Sequence, residues 1–296
     1  MTEPFALVQF RQRLVWKDLD ETVLRKLIRL AAQEDLHGEG LKINTPSEGD
    51  RTTMAMDVLG KGSAAIVARE PIVVCGLPLL PLILEVFDVV EGFLENVKTD
   101  GEEAEAGEIL AVIQGSVSAL LTAERTLLNF LQRLCGIATT AKAFVDALAG
   151  TETNLLDTRK NTPGLRALEK YASATGGFYN HRYGLNDRIL IKDNHLAASG
   201  SIEGERLADA VNKVKSRASD LLVEVEVDHL NLKIHPGIPT PRVMLTPAVQ
   251  AIQAVETHLQ FQRAFAPQAA LIRLITPLQL IILQLPIILQ LPIIHP

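Results

Sequence analysis

Basic side chains cluster at regular places along the middle of the chain: Asp157-Thr158-Arg159-Lys160, Asn180-His181-Arg182 and Lys192-Asp193-Asn194-His195. Each cluster borders a stretch with strand character. Arginine forks engage carboxylates through paired hydrogen bonds, and lysine acts as a compact charge. At one mouth of a parallel layer the clusters would form a strongly positive cavity for a multiply charged anion. Any one of them alone reads more simply as solvated loop charge. That simpler reading weakens when every cluster falls at the same topological position. The acids come next. In Leu221-Leu-Val-Glu-Val-Glu-Val-Asp228, Val223, Val225 and Val227 share one face and Glu224, Glu226 and Asp228 the other. On an antiparallel edge strand these acids would face water. In a parallel barrel covered outside by helices they point inward and need cations or hydroxyl donors, such as those of a sugar.

Other candidate chemistries are weaker. Gly176-Gly177 could open a phosphate loop, but two glycines more often end a helix or make a turn. His181 and His195 lack a second ligand at zinc-like spacing, so a metal site is not expected. Cys135 falls on an apolar helix face and reads as core rather than nucleophile.

The elements that must position these residues differ along the chain. In 1–115, apolar positions from Leu19 to Ala31 repeat with helical spacing. Ser63–Ala68, Ile72–Val74, Phe93–Lys98 and Glu108–Ile113 read as strands, with turns at Asp100-Gly101 and Ala106-Gly107. In 116–230, helix and strand alternate. Leu120 to Ala141 is helical with a break expected at Gly136, and Leu165–Tyr171 is helical with Thr162 as cap and Pro163 at its first position. Glu205–Val214 is helical, and Asn154–Leu156, Arg188–Ile191 and Leu221–Val227 are strands. This alternation predicts an α/β fold with parallel β/α units and a site at the C-terminal strand ends. Residues 231–296 hold nine of the fifteen prolines, no glycine after Gly237 and no formal charge from Leu274 onward. They read as a Pro-rich, apolar, low-complexity tail in which Pro277, Pro286 and Pro292 oppose a membrane span.

The chain has 296 residues, 47% of them hydrophobic, and a formal charge of −6. That allows a sizeable core and gives no general attraction to nucleic acid or anionic membrane. Two unpaired-looking cysteines, Cys75 and Cys135, and the lack of a secretory pattern at the start predict a cytoplasmic protein.

Taken in order, Leu121–Thr139, Asp157–Arg166, Gly176–Leu185, Leu190–His195 and Glu224–Asp228 resemble the quinolinate phosphoribosyltransferases, or carboxylating nicotinate-nucleotide pyrophosphorylases. The resemblance runs more loosely through 18–115, including Glu34-Asp35-Leu36 and Val67–Glu70, and stops near Leu230. It implies an N-terminal α/β sandwich over 1–115 and the first half of an incomplete β/α barrel over 116–230. The barrel is expected to be truncated or replaced beyond that point. It further implies that Arg159, His181, Arg182 and Lys192 grip the quinolinate carboxylates. Thr158, Lys160 and Glu226 belong to the substrate site, with Lys160 and Glu226 on phosphoribosyl pyrophosphate. Glu226 and Lys192 are the implied catalytic pair. Arg125 is implied to reach the neighbouring subunit's site in a homodimer. Magnesium is implied to arrive with the sugar donor, with no organic cofactor. Asn161 and Phe178 stand where the family usually has Thr and Gly. The family's second carboxylate and phosphate-binding glycines have no counterpart after Asp228. Low turnover and poor solubility are therefore expected of the chain as written. The alternative is a remnant that binds aromatic dicarboxylates or only dimerises.

Overall fold

A computed structural model describes residues 12–42, 48–89, 93–151, 154–199, 205–225 and 287–290. It divides into two compact units, Met1–Asn180 with Leu274–Pro296, and His181–Arg273.

In the first unit, helix α1 (Glu21–His37) starts where the Asp20 carboxylate accepts the backbone N–H groups of Thr22 and Val23. It ends at Gly38, whose φ of 67° suits a residue without Cβ. Leu24, Ile28 and Ala32 form its buried stripe. A short helix α2 (Arg51–Ala55) is capped by Asp50 in the same way. Hydrogen bonds from Thr53 hold the Asp50 carboxyl below its usual range. Strands β1 (Lys61–Ala68), β2 (Ile72–Val73), β3 (Phe93–Asn96), β4 (Glu103–Ala104) and β5 (Ile109–Ser116) build the sheets, and helix α3 (Leu80–Val86) lies between β2 and β3 in sequence. β1 pairs antiparallel with β5, Ala64 opposite Ile113, with a register shift between Ile66 and Val67. β5 pairs on its other side with β3. β1, β2, β3 and β5 fall where the sequence reading places strands, and β4 has no counterpart in it.

The long helix α4 (Val117–Ala147) runs without interruption for 31 residues, so the break expected at Gly136 does not occur. A Cβ at Gly136 would meet nothing within 4 Å, and the Thr140 hydroxyl donates to its carbonyl at 2.8 Å. A helix anchored by Leu120, Leu127, Leu131, Leu134 and Ala138 in the core tolerates one such glycine. Helix α5 (Arg166–Thr175) packs on α4. Thr162 does not cap α5: its N–H donates to Glu169 Oε2 at 3.1 Å and its hydroxyl accepts from Arg133. The expected strand at Asn154–Leu156 reduces to one parallel bridge, Leu156 with Tyr179.

Gly176 explains how closely α5 approaches α4. A Cβ there would stand 2.2 Å from the Ala138 carbonyl oxygen and 2.6 Å from the Ala141 Cβ. Gly177 follows with φ 106° against Val145. The pair is a packing contact and a turn, not a phosphate loop. Gly176→Ala is expected to destabilise the chain by about 1–3 kcal/mol through overpacking. An unchanged midpoint in thermal unfolding would contradict the packing role.

Four residues of the tail lie within the described structure. Strand β8 (Ile287–Gln290) pairs antiparallel with β1, Ile66 opposite Leu289, so the four-stranded order is β3-β5-β1-β8. Pro286 and Pro292 flank it. A β-rich apolar run between prolines can supply a short edge strand and no more. No helix among the described residues is long and apolar enough to cross a membrane.

The second unit holds β6 (Ile189–Ile191), helix α6 (Asp193–Ser199), helix α7 (Glu205–Arg217) and β7 (Val223–Val225). β6 and β7 are parallel, Leu190 opposite Glu224, as a strand-helix-strand connection requires. Ile191, Leu196, Val211 and Val225 form its core. Glu226, Val227 and Asp228 lie outside the described residues.

Candidate active site

The loop Asp157–Lys160 leaves the bridge at Leu156 and is fixed from below. Asp157 Oδ1 lies 2.6 Å from Lys170 Nζ on α5, both side chains nearly closed to solvent (8% and 2% exposed). Its Oδ2 accepts from the Asn180 amide at 2.7 Å and the Ser173 hydroxyl at 3.4 Å. The same amide donates to the Lys170 carbonyl at 2.9 Å, while Asn180 Oδ1 accepts from the Leu14 N–H at 2.6 Å. A buried ion pair surrounded by these donors and acceptors is a rigid support. Further along, Asn161 Oδ1 accepts from Arg166 Nε at 3.1 Å, and Glu169 holds both Thr162 and Arg133. Arg13 stacks 4.2 Å from the Tyr179 ring centroid and donates to the carbonyls of Gly177 and Phe178. Phe178 itself packs edge-on against Phe144.

On this support, Thr158 and Lys160 are exposed and Arg159 is half-buried. The Thr158 hydroxyl accepts the Lys160 N–H at 3.0 Å and so shapes the turn. Arg159 Nε is buried and has no hydrogen-bond partner among the described residues. A buried guanidinium nitrogen left unmet is unfavourable unless a ligand acceptor satisfies it. Arg125 is exposed on α4, and its neighbour Thr126 is buried and donates to Asp35 at 3.1 Å.

In the second unit, Arg182 is buried and its Nη1 donates to the Arg188 carbonyl at 3.1 Å. His181 Nε2 lies 2.7 Å from Glu224 Oε2. Lys192 ends β6. Its N–H donates to His195 Nδ1 at 2.9 Å, and the His195 N–H donates back to the Lys192 carbonyl at 2.9 Å. His195 therefore closes the first turn of α6 in the manner of a capping box. Among the described residues no three His, Cys, Asp or Glu side chains stand together as metal donors. Glu226 lies outside the described residues.

The cysteines sit together in the core: the Cys75 N–H donates to Cys135 Sγ at 3.2 Å. Burial pushes the Cys135 thiol up to about 12, so it stays protonated and is no nucleophile. Lys170 and Glu169 are not singled out from sequence, and Asn180 stands there only as the first residue of a basic cluster. Each looks like an ordinary polar position in the chain, and only the fold reveals the pairing.

Comparison with known proteins bears on the same residues. The family description "Quinolinate phosphoribosyl transferase, N-terminal domain" matches residues 50–135, and its C-terminal counterpart matches 137–233. A nicotinate-nucleotide pyrophosphorylase (carboxylating) of Mycobacterium leprae is 43% identical over 215 residues, 72% of this chain and 71% of that protein. A probable enzyme of the same name from Bacillus subtilis is 40% identical over 183 residues, 61% of each chain. Against that second relative, the chain matches less than two thirds of the length. Among solved structures, NadC from Streptococcus pyogenes aligns with a TM-score of 0.63 at 33% identity, covering 81% of this chain and 82% of that one. The nicotinate-nucleotide pyrophosphorylase from Francisella tularensis aligns with a TM-score of 0.62 at 31% identity, covering 80% and 72%.

Proposed function

Because the chain belongs to the quinolinate phosphoribosyltransferase family, we propose that it transfers the phosphoribosyl group of phosphoribosyl pyrophosphate to quinolinate with decarboxylation. The products are nicotinate mononucleotide, pyrophosphate and CO2, a step in making NAD. The observation that carries this reading is the joint match of both family domains across 50–233, which contains every basic cluster named above.

The chemistry asks for what these residues offer. Quinolinate is a dianion and its co-substrate is more highly charged. The family resemblance offers Arg159, His181, Arg182 and Lys192 as partners for the two carboxylates; Arg159 Nε is buried and unmet, and Arg182 is buried. Lys160 serves the sugar phosphate, and Thr158 shapes the turn that carries it. The pyridine nitrogen attacks the anomeric carbon as pyrophosphate leaves, through a transition state with positive charge on the sugar. Glu226 orients the ribose hydroxyls and stabilises that charge. The 2-carboxylate then leaves as CO2. Its electron pair remains on ring carbon beside the positive nitrogen and takes up a proton, so the substrate is its own electron sink. Lys192 holds a carboxylate through both steps. Magnesium would enter on the donor's phosphates, since the ion usually keeps substrate phosphates and waters as ligands.

Arg125, exposed on α4, is the residue proposed to complete a neighbouring subunit's site, which makes the working unit a homodimer. Sedimentation at micromolar concentration is expected to give a dimer, and a folded monomer would contradict it. The buried, unpaired thiols of Cys75 and Cys135 fit a reducing, cytoplasmic location.

A second reading has one observation in its favour. The family match ends at residue 233 and no glycine follows Gly237. Close backbone approach to phosphate generally needs glycine. The chain would then bind quinolinate with little turnover. The deciding experiment supplies both substrates with magnesium and measures nicotinate mononucleotide and CO2. Equimolar products support transfer, binding without product supports the second reading, and neither binding nor product overturns both. If the second reading holds, replacing the segment after Asp228 with a family-like one should restore turnover and solubility.

A further inference from the structure

We propose that Glu224 is a positioning residue for His181, a role that rests on the function proposed above and that nothing in the family names assigns. The parallel pairing of β6 and β7 sets Glu224 opposite Leu190, and its side chain is only 5% exposed. Oε2 lies 2.7 Å from His181 Nε2. A hydrogen bond links the ring nitrogen to the carboxylate oxygen, so the direction of the imidazole ring is set by the strand. Oε1 is buried as well and has no hydrogen-bond partner among the described residues.

That second oxygen is the informative one. A buried carboxylate with one oxygen unmet costs stability; an apolar side chain at the same place would avoid the cost, and an amide would remove the buried charge. The neighbouring Val225 already supplies β7 with its contact to Ile191, Leu196 and Val211. Packing therefore gives no reason for an acid at 224. Orientation of a ligand-binding histidine does, as carboxylates behind histidines do at other sites. The sequence shows Glu224 and Glu226 as equivalent acids on one face of a strand; the structure gives Glu224 a specific partner.

The test uses the full chain and compares wild type with Glu224→Gln, His181→Ala and the double variant. Thermal unfolding, quinolinate affinity by calorimetry and the ring nitrogen signals of His181 by NMR are measured together. Glu224→Gln is expected to keep or raise the unfolding midpoint while weakening quinolinate by roughly ten- to a hundredfold. It should shift the His181 Nε2 signal and add little to the loss already caused by His181→Ala. A lowered midpoint with unchanged affinity would overturn the proposal, as would fully additive losses. If the wild type binds no quinolinate, the functional reading fails on its own. The positioning role is then judged on the ring signal, and a His181 Nε2 signal unchanged by Glu224→Gln overturns it.

Discussion

Lys170→Met is expected to lower the unfolding free energy by about 3–5 kcal/mol, the cost of removing one partner from a buried ion pair. Lys170 is among the most completely buried side chains, and its ammonium lies 2.6 Å from Asp157. Methionine fills similar volume, so the loss reports the stranded carboxylate and not a cavity. Asn180 and Ser173 still donate to Asp157 but cannot neutralise it. Adding Asp157→Asn should recover part of the loss, because the charge left behind is then gone. Urea unfolding measures both variants; a midpoint change with unchanged slope is the expected form. A loss below about 1 kcal/mol would put the pair among surface-like ion pairs and remove its supporting role. Because the Asp157–Lys160 loop rests on this pair, quinolinate affinity should fall with stability.

Arg182→Lys is expected to weaken quinolinate by about a hundredfold, roughly 2–3 kcal/mol, although the charge is kept. Arg182 is buried and one arm of its guanidinium is tied to the Arg188 carbonyl at 3.1 Å. That bond fixes the plane of the guanidinium fork. An ammonium cannot hold the carbonyl and present a two-point face as well. Rising salt should weaken wild-type binding less steeply than exposed charges would give. Equal calorimetric affinities of the two proteins would remove the bidentate role.

Much of the fold was legible because the chain states it locally. The leucines of α4 repeat with helical spacing, and β1 and β5 combine β-branched residues with glycine turns such as Gly101 and Gly107, both at positive φ. What was not legible depends on partners distant in sequence. Lys170 reads as one more charge on a polar helix face, yet it pairs with Asp157 and stands under Asn180. Thr162 carries a cap-like sequence but is drawn to Arg133 and Glu169 instead. Gly176-Gly177 reads as a helix end or turn more than as a phosphate loop, and only the proximity of the Ala138 carbonyl shows Gly176 to be a packing residue. The tail lacks the signals of a domain, and the pairing of Ile287–Gln290 with β1 could not be read from composition. For the site, residue types and order pointed to the basic clusters. The separate tasks of Glu224 and His195 came from geometry, since a lone acid or histidine in a sequence carries no sign of its hydrogen-bond partner.

Titration calorimetry of the full 296-residue chain tests most directly the proposed grip on a pyridine dicarboxylate. Quinolinate should bind at one site per chain. Nicotinate, which lacks the second carboxylate, should bind much more weakly, and Arg182→Lys should narrow the difference between them. No binding of quinolinate, or equal affinity for quinolinate and nicotinate, would contradict the account.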